Sequence, residues 1–330
     1  MAQTGFSPLG KPCRPRRSRL AGAASRTCPT LGPRSLSMAR RLSAEPPMTR
    51  PNFFLVGTTK GGTSTLHRWL EQHPQIFLPA RKELHYFCHC PDRGLNAIRS
   101  SDEYEGIFSS ATQPVVGEAT PCYMYYPDVA DAIYAKFPSS RILITLRDPV
   151  ERFWSHYLMN EVYLPTGLPP EEIVDMNLRD EASTALDDLI GVGMYHDQVR
   201  RFMSVFGREN VFVTFLEDIA AEPTRVSEAI QRFLEIPTID LDTTQRDKQY
   251  VEPRNRVGKI ALRNPRVRSI GVAILPWRVR RFLRTRILGD PGRKPVMSEA
   301  LRERLWSLYR SDSVDLEALL KRPLPWSRHR

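Results

Sequence analysis

Asn52–Leu70 limits the possible folds of this chain more than any other segment. Asn52–Val56 (NFFLV) is an apolar run closed by Gly57, the pattern of a strand buried on both faces. After a Gly-rich turn the spacing becomes helical, with Leu66, Trp69 and Leu70 on one stripe of Thr63–Gln72. A strand covered on both sides belongs in a parallel sheet, because crossover helices pack on both faces. The same alternation continues downstream. Val115–Val116 opens a strand, Pro127–Phe137 reads as a helix, and Arg141–Leu146 (RILITL) is a second buried strand. Pro149–Tyr163 is a helix with Pro at its opening; Met194–Phe206 (helix), Val211–Phe215 (strand) and Glu222–Leu234 (helix) follow. The pattern predicts one α/β domain: a central parallel sheet of about four or five strands, flanked by helices, with ligands at the C-terminal strand ends.

Charge separates the chain into regions. Residues 1–50 carry 10 Lys+Arg against 1 acid, residues 51–250 carry 18 against 29, and residues 251–294 carry 13 against 2. The body is therefore acidic although the whole chain has a net charge of +11. This argues against a nucleic-acid binder, whose basic residues would line the domain itself. Residues 1–48 are rich in Arg, Ser, Pro and Ala and lack apolar periodicity. They read as a disordered basic tail, a misassigned start preceding Met38 or Met48, or an organellar transit segment. Five scattered cysteines suit a reducing cytoplasm better than a disulfide scaffold. A soluble, cytoplasmic protein is expected.

Val56–Leu66 (VGTTKGGTSTL) carries the chemistry. A Gly-rich turn that opens a helix points backbone N–H groups at one spot and favours a phosphate there. Gly61 and Gly62 admit close approach, Thr63, Ser64 and Thr65 add hydroxyls, and Lys60 adds a full charge. A Walker A loop has Lys after its second Gly; here Lys60 precedes the glycines, and no acidic Mg²⁺ partner stands at a strand end. An ordinary βα turn remains the plain alternative. Downstream, Arg147 stands directly after RILITL, and on its own it reads as a salt-bridge partner of Asp148 or Glu151.

Lys60-Gly61-Gly62-Thr63 after a strand resembles the 5′-phosphosulfate loop of sulfotransferases that use 3′-phosphoadenosine 5′-phosphosulfate (PAPS), in the form found in the heparan sulfate and carbohydrate branch and its soluble bacterial members. RILITLRDPVERFWSHY is similar to the family's 3′-phosphate element, with Arg147 and Ser155 at the two binding positions. Arg81–Phe87 (RKELHYF) resembles the segment that supplies the catalytic base, with Glu83 at the carboxylate position and His85 at the histidine position. Gly117–Tyr123 (GEATPCY) matches a further family stretch, with Ala119 where the family has Lys. Gly193–Asp218 resembles the family's helix, strand and Glu-Asp, Pro253–Arg256 (PRNR) a late loop closing over the nucleotide through Arg254 and Arg256, and Leu301–Leu320 the terminal helix. The resemblance covers roughly residues 51–325 as one sulfotransferase domain with a P-loop-like phosphosulfate site. It implies Lys60, Gly61, Gly62, Thr63, Ser64, Thr65, Arg147, Ser155, Arg254 and Arg256 as cofactor ligands, and Glu83, Lys60 and His85 as catalytic groups. It also implies PAPS as co-substrate, adenosine 3′,5′-bisphosphate as product, a hydroxyl or amine acceptor of open identity, and no metal.

Other features have quieter readings. Lys82 is either an acceptor or sulfonate contact or a solvated lysine, and Tyr86 and Phe87 have core spacing. His85, Cys88, His89 and Cys90 form a local Cys/His cluster with no second pair at zinc spacing downstream, so no metal is expected. His156 and His196 read as ordinary helix residues, and no Gly-x-Ser-x-Gly elbow occurs. The basic stretch 257–288 either lines an anionic cofactor cleft or lies peripherally on an anionic membrane. Three classes stay in contention: PAPS-dependent sulfotransferase, phosphate-loop kinase or NTPase, and a non-enzymatic basic binder. Oligomeric state has no signature in the sequence.

The tail lacks the apolar content to pack against a domain. Removing residues 1–47 is expected to leave the affinity for adenosine 3′,5′-bisphosphate unchanged by calorimetry; a loss of roughly tenfold or more would assign the tail to the fold.

Overall fold

The computed structural model describes residues 50–88, 97–163, 166–179, 188–244 and 294–326. Five parallel strands form the sheet: β1 (Phe53–Gly57), β2 (Ile76–Phe77), β3 (Val115–Ala119), β4 (Arg141–Leu146) and β5 (Val211–Phe215), in the order β2-β3-β1-β4-β5. The helices are α1 (Thr63–Leu70), α2 (Ser101–Gly106), α3 (Val129–Lys136), α4 (Pro149–Tyr163), α5 (Pro170–Leu178), α6 (Tyr195–Phe206), α7 (Leu216–Ala221), α8 (Pro223–Phe233) and α9 (Glu299–Leu320).

The apolar runs resolve into two faces. Phe53 and Leu55 of β1 and Leu143 of β4 pack with Leu66, Trp69 and Leu70 of α1 and with Ile230 of α8. Phe54 and Val56, with Ile142, Ile144 and Leu146, pack on the other side with Ile133 of α3 and Val199 and Phe202 of α6. Alternate residues of one strand thus serve opposite cores, which is why the run has no polar positions. The chain leaves β1 on one face through α1 and reaches β4 from the other face through α3. That reversal opens a crevice at the carboxyl ends of β1 and β4, where open α/β sheets hold ligands.

Most predicted elements stand within one or two residues of their observed bounds. β4, α4 and β5 match theirs. The two-residue β2 and the helices α2, α5 and α7 are additions to the pattern read from the sequence. Phe87 is core, as expected, and Tyr86 stacks on Tyr104 with centroids 4.1 Å apart. His156 is buried beside the Arg152 guanidinium, its Nδ1 3.1 Å from Nη1, while His196 Nδ1 lies 3.0 Å from Asp197. Among the described residues no helix is long and apolar enough to cross a membrane.

Gly57 closes β1 at φ 135°, and a Cβ there would run into the backbone of Thr145, its nitrogen only 2.7 Å away. Gly57→Ala is therefore expected to cost more than about 2 kcal/mol of unfolding free energy, measured by urea denaturation, since neither strand can yield without breaking the ladder. A cost under about 0.5 kcal/mol would contradict this close approach.

Candidate active site

The Gly-rich loop after β1 is built on β4. Thr58 N–H donates to the Thr145 carbonyl (3.0 Å), Gly61 N–H to the Thr58 carbonyl (3.0 Å), and the Thr145 hydroxyl to the Gly61 carbonyl (2.6 Å). Gly62 is the N-cap of α1 at φ 99°, a conformation suited to glycine, and it brings no side chain to cap the helix. The first turn of α1 contains no acid. A helix start without side-chain cap or carboxylate presents its amides and its positive dipole end to an anion. Lys82 strengthens this end: its Nζ donates to the hydroxyls of Thr63 (3.0 Å) and Ser64 (2.9 Å). By sequence Lys82 suits either an acceptor or sulfonate contact or a solvated lysine; the fold turns it onto the loop.

Each residue of Arg147-Asp148-Pro149 has a distinct task. Arg147 follows the end of β4, with its carbonyl held by the Tyr195 hydroxyl at 2.9 Å. Asp148 caps α4, Oδ1 accepting from the N–H groups of Val150 (2.8 Å) and Glu151 (3.1 Å). Burial pushes the Asp148 carboxyl up, and those two N–H bonds act against the rise. Pro149 opens the helix without a wasted donor. The Arg147 Nη2 is also 3.7 Å from the Glu151 carboxylate, so the salt-bridge reading holds alongside the cleft position. Glu151 is shared with Lys294 (3.1 Å) and Arg302 (3.0 Å). Burial raises its carboxyl, but these cations outweigh burial and hold it below the ordinary value.

One cleft gathers most of the predicted residues. Lys60, Gly62, Thr63, Ser64 and Thr65 line it from the loop, Glu83 and His85 from the 81–88 segment, and Arg147 and Ser155 from the end of β4 and from α4. Gly61 lies buried under the loop as part of its scaffold. Arg254, Arg256 and the 257–288 stretch lie outside the described residues, as does the 1–48 tail. Thr59, Pro121, Cys122, Met159 and Leu216 also line the cleft and were not singled out as ligands. Pro121 and Cys122 follow β3, and Leu216 follows β5, so a signal existed: residues just past parallel strands meet at one edge.

Three cleft residues, Lys60 (φ 74°), Glu83 (φ 63°) and His85 (φ 55°), adopt left-handed backbone without being glycine. Each costs about 1–2 kcal/mol, a strain retained where surrounding structure demands a particular side-chain aim. Glu83 N–H is anchored on the Ala119 carbonyl at 2.9 Å. Its carboxylate, 38% exposed, lies 4.0 Å from Lys82 Nζ and 3.8 Å from His85 Nε2. Glu118 of the GEATPCY stretch serves the interior. It accepts from the hydroxyls of Tyr104 (2.5 Å) and Thr120 (2.7 Å), and burial raises its carboxyl above the ordinary range.

A sulfotransferase domain model matches residues 50–305, so this chain belongs to the sulfotransferase family. A solved sulfotransferase from Alicyclobacillus acidocaldarius is similar over 85% of this chain and 99% of its own, with TM-score 0.66 and 30% identity. The membrane-associated sulfotransferase kil1 of Dictyostelium discoideum is 33% identical over 141 residues, 42% of this chain and 30% of kil1. Mouse heparan sulfate glucosamine 3-O-sulfotransferase 6 is 24% identical over 193 residues, 58% of this chain and 54% of that protein. The chain thus spans about half or less of these curated relatives.

Asp148 caps α4 through two amides, so Asp148→Ala is expected to lower unfolding free energy by about 1–2 kcal/mol, with Asp148→Ser recovering part of the loss. Chemical denaturation checks this; equal losses for Ala and Ser would assign the effect to something other than the cap.

Proposed function

We propose that this chain is a PAPS-dependent sulfotransferase acting on a hydroxyl or amine. The observation that carries the reading is the joint presence of Lys60, Glu83, Arg147 and Ser155 on one cleft above an acid-free helix start. The residues present suit two separate phosphates. The amides and hydroxyls of 60–65 suit the 5′-phosphosulfate, and Arg147 with Ser155 suits the 3′-phosphate. A kinase reading lacks support from the loop, whose Lys precedes its glycines.

In the proposed reaction the Glu83 carboxylate takes the proton of the acceptor group as its oxygen or nitrogen attacks sulfur in line. The bond between sulfur and the 5′-phosphate oxygen breaks, and its electron pair stays on that oxygen, where the Lys60 ammonium stabilises the developing charge. His85, buried beside Glu83, orients the carboxylate. The catalytic unit is residues 51–325. Cys88 and Cys122 are buried and not joined in a disulfide, which fits a reducing cytoplasm. The acceptor class, carbohydrate, glycolipid or small metabolite, is resolved by assaying extracts with radiolabelled PAPS.

Arg147→Ala is expected to weaken adenosine 3′,5′-bisphosphate by roughly tenfold to a hundredfold, and much less a nucleotide lacking the 3′-phosphate. Equal weakening of the two in calorimetric titrations would mean that Arg147 acts through folding.

Glu83 and Lys60 are expected to fail differently. Glu83→Gln keeps shape but loses the base, so turnover falls roughly a hundred- to ten-thousandfold with bisphosphate affinity nearly intact. Lys60→Ala lowers both, and turnover further, because charge builds as the S–O bond breaks. If Glu83→Gln stays within a few-fold of wild type, Glu83 is not the base.

A further inference from the structure

Beside the cleft, three buried side chains converge from two segments. His85 Nδ1 lies 3.6 Å from Cys88 Sγ and 3.3 Å from Cys122 Sγ, and the two sulfurs are 3.9 Å apart. The residues are 6%, 1% and 3% exposed, and neither cysteine is in a disulfide. A tetrahedral zinc site has bonds of about 2.3 Å to sulfur and 2.0 Å to nitrogen, which places its ligand atoms about 3.8 Å (S to S) and 3.5 Å (N to S) apart. All three edges of the triangle fall within a few tenths of an ångström of those spacings.

We propose that His85, Cys88 and Cys122 bind one zinc ion. Imidazole with two thiolates is a borderline-soft donor set suited to zinc and unsuited to Mg²⁺ or Ca²⁺. Binding releases the two thiol protons, and two thiolates neutralise the doubly charged ion, so the buried cluster carries no net charge to desolvate. His85 and Cys122 line the cleft, which leaves the fourth position accessible to a water from that side. Ligation at Nδ1 keeps the proton on Nε2, the nitrogen 3.8 Å from the Glu83 carboxylate; a ligand histidine backed by a carboxylate is a common outer-sphere arrangement. Sequence spacing concealed the site because Cys122 comes from beyond β3, outside the local Cys/His cluster.

The test uses the full chain without histidine tags, purified under a non-chelating reductant. Elemental analysis is expected to find about one zinc per chain, falling below about a tenth in both Cys88→Ser and Cys122→Ser. Replacement by Co²⁺ in the wild-type chain is expected to give thiolate-to-cobalt charge-transfer absorption and tetrahedral ligand-field bands, a readout that does not depend on the variants folding. The proposal is overturned by substoichiometric zinc without that cobalt spectrum, by zinc retained in both variants, or by a Cys88–Cys122 disulfide in freshly isolated protein. Bisphosphate titrations on the same samples report separately on the proposed transferase function.

Discussion

Thr145 holds the Gly-rich loop after β1 by three contacts at once: its carbonyl takes the Thr58 amide, its hydroxyl donates to the Gly61 carbonyl, and its backbone passes so close to Gly57 that a Cβ there would clash. Such a loop is not shaped by its own residues alone. The Gly61 carbonyl is turned onto the Thr145 hydroxyl, away from the uncapped start of α1. Because Thr145 belongs to β4, two residues before Arg147, the same strand supports the loop and ends beside the arginine that lines the cleft.

Charge around the cleft is arranged with little freedom. Lys82 reaches the loop hydroxyls, and Arg147 is shared with Glu151, which Lys294 and Arg302 also engage. A carboxylate shared by three cations makes no tight bidentate pair with Arg147, whose Nη2 stays 3.7 Å away. Glu83 stands on strained backbone in the same half of the cleft. Positioning of this kind costs stability, and the large two-sided core offsets it.

Long-range contacts finish what local sequence leaves undone. Met194, the N-cap residue of α6, offers no side-chain cap, and Asp312 of α9 supplies one, accepting from the amides of Tyr195 (2.7 Å) and His196 (3.1 Å). The capped end carries Tyr195, whose hydroxyl holds the Arg147 carbonyl. A helix far along the chain therefore helps set the arginine that faces the cleft. Burial raises the Asp312 carboxyl, and the two amides act against this, so its capping depends on the packed state around it.

Strongly periodic elements were legible in the chain itself. RILITL and the helix opening at Pro149 have the observed bounds, because a run buried on both faces and a proline-started stripe have few other ways to satisfy their apolar residues. The loop residues 60–65 could be singled out because glycine, hydroxyls and a lysine fall where β1 gives way to α1, whereas Glu83, Arg147 and Ser155 stand out through the family resemblance of their segments. β2 escaped notice since two residues carry no period, although the Ser100 cap on the Glu103 amide was an available signal for α2. The amino-acid order thus determined the alternating elements and the residue types at their ends. Only the tertiary structure decided that Lys82 turns onto the loop, that Asp312 caps α6 and that Cys122 joins His85 and Cys88. Those contacts join residues brought together by the strand order of the sheet, and local periodicity contains no information about which strand ends become neighbours.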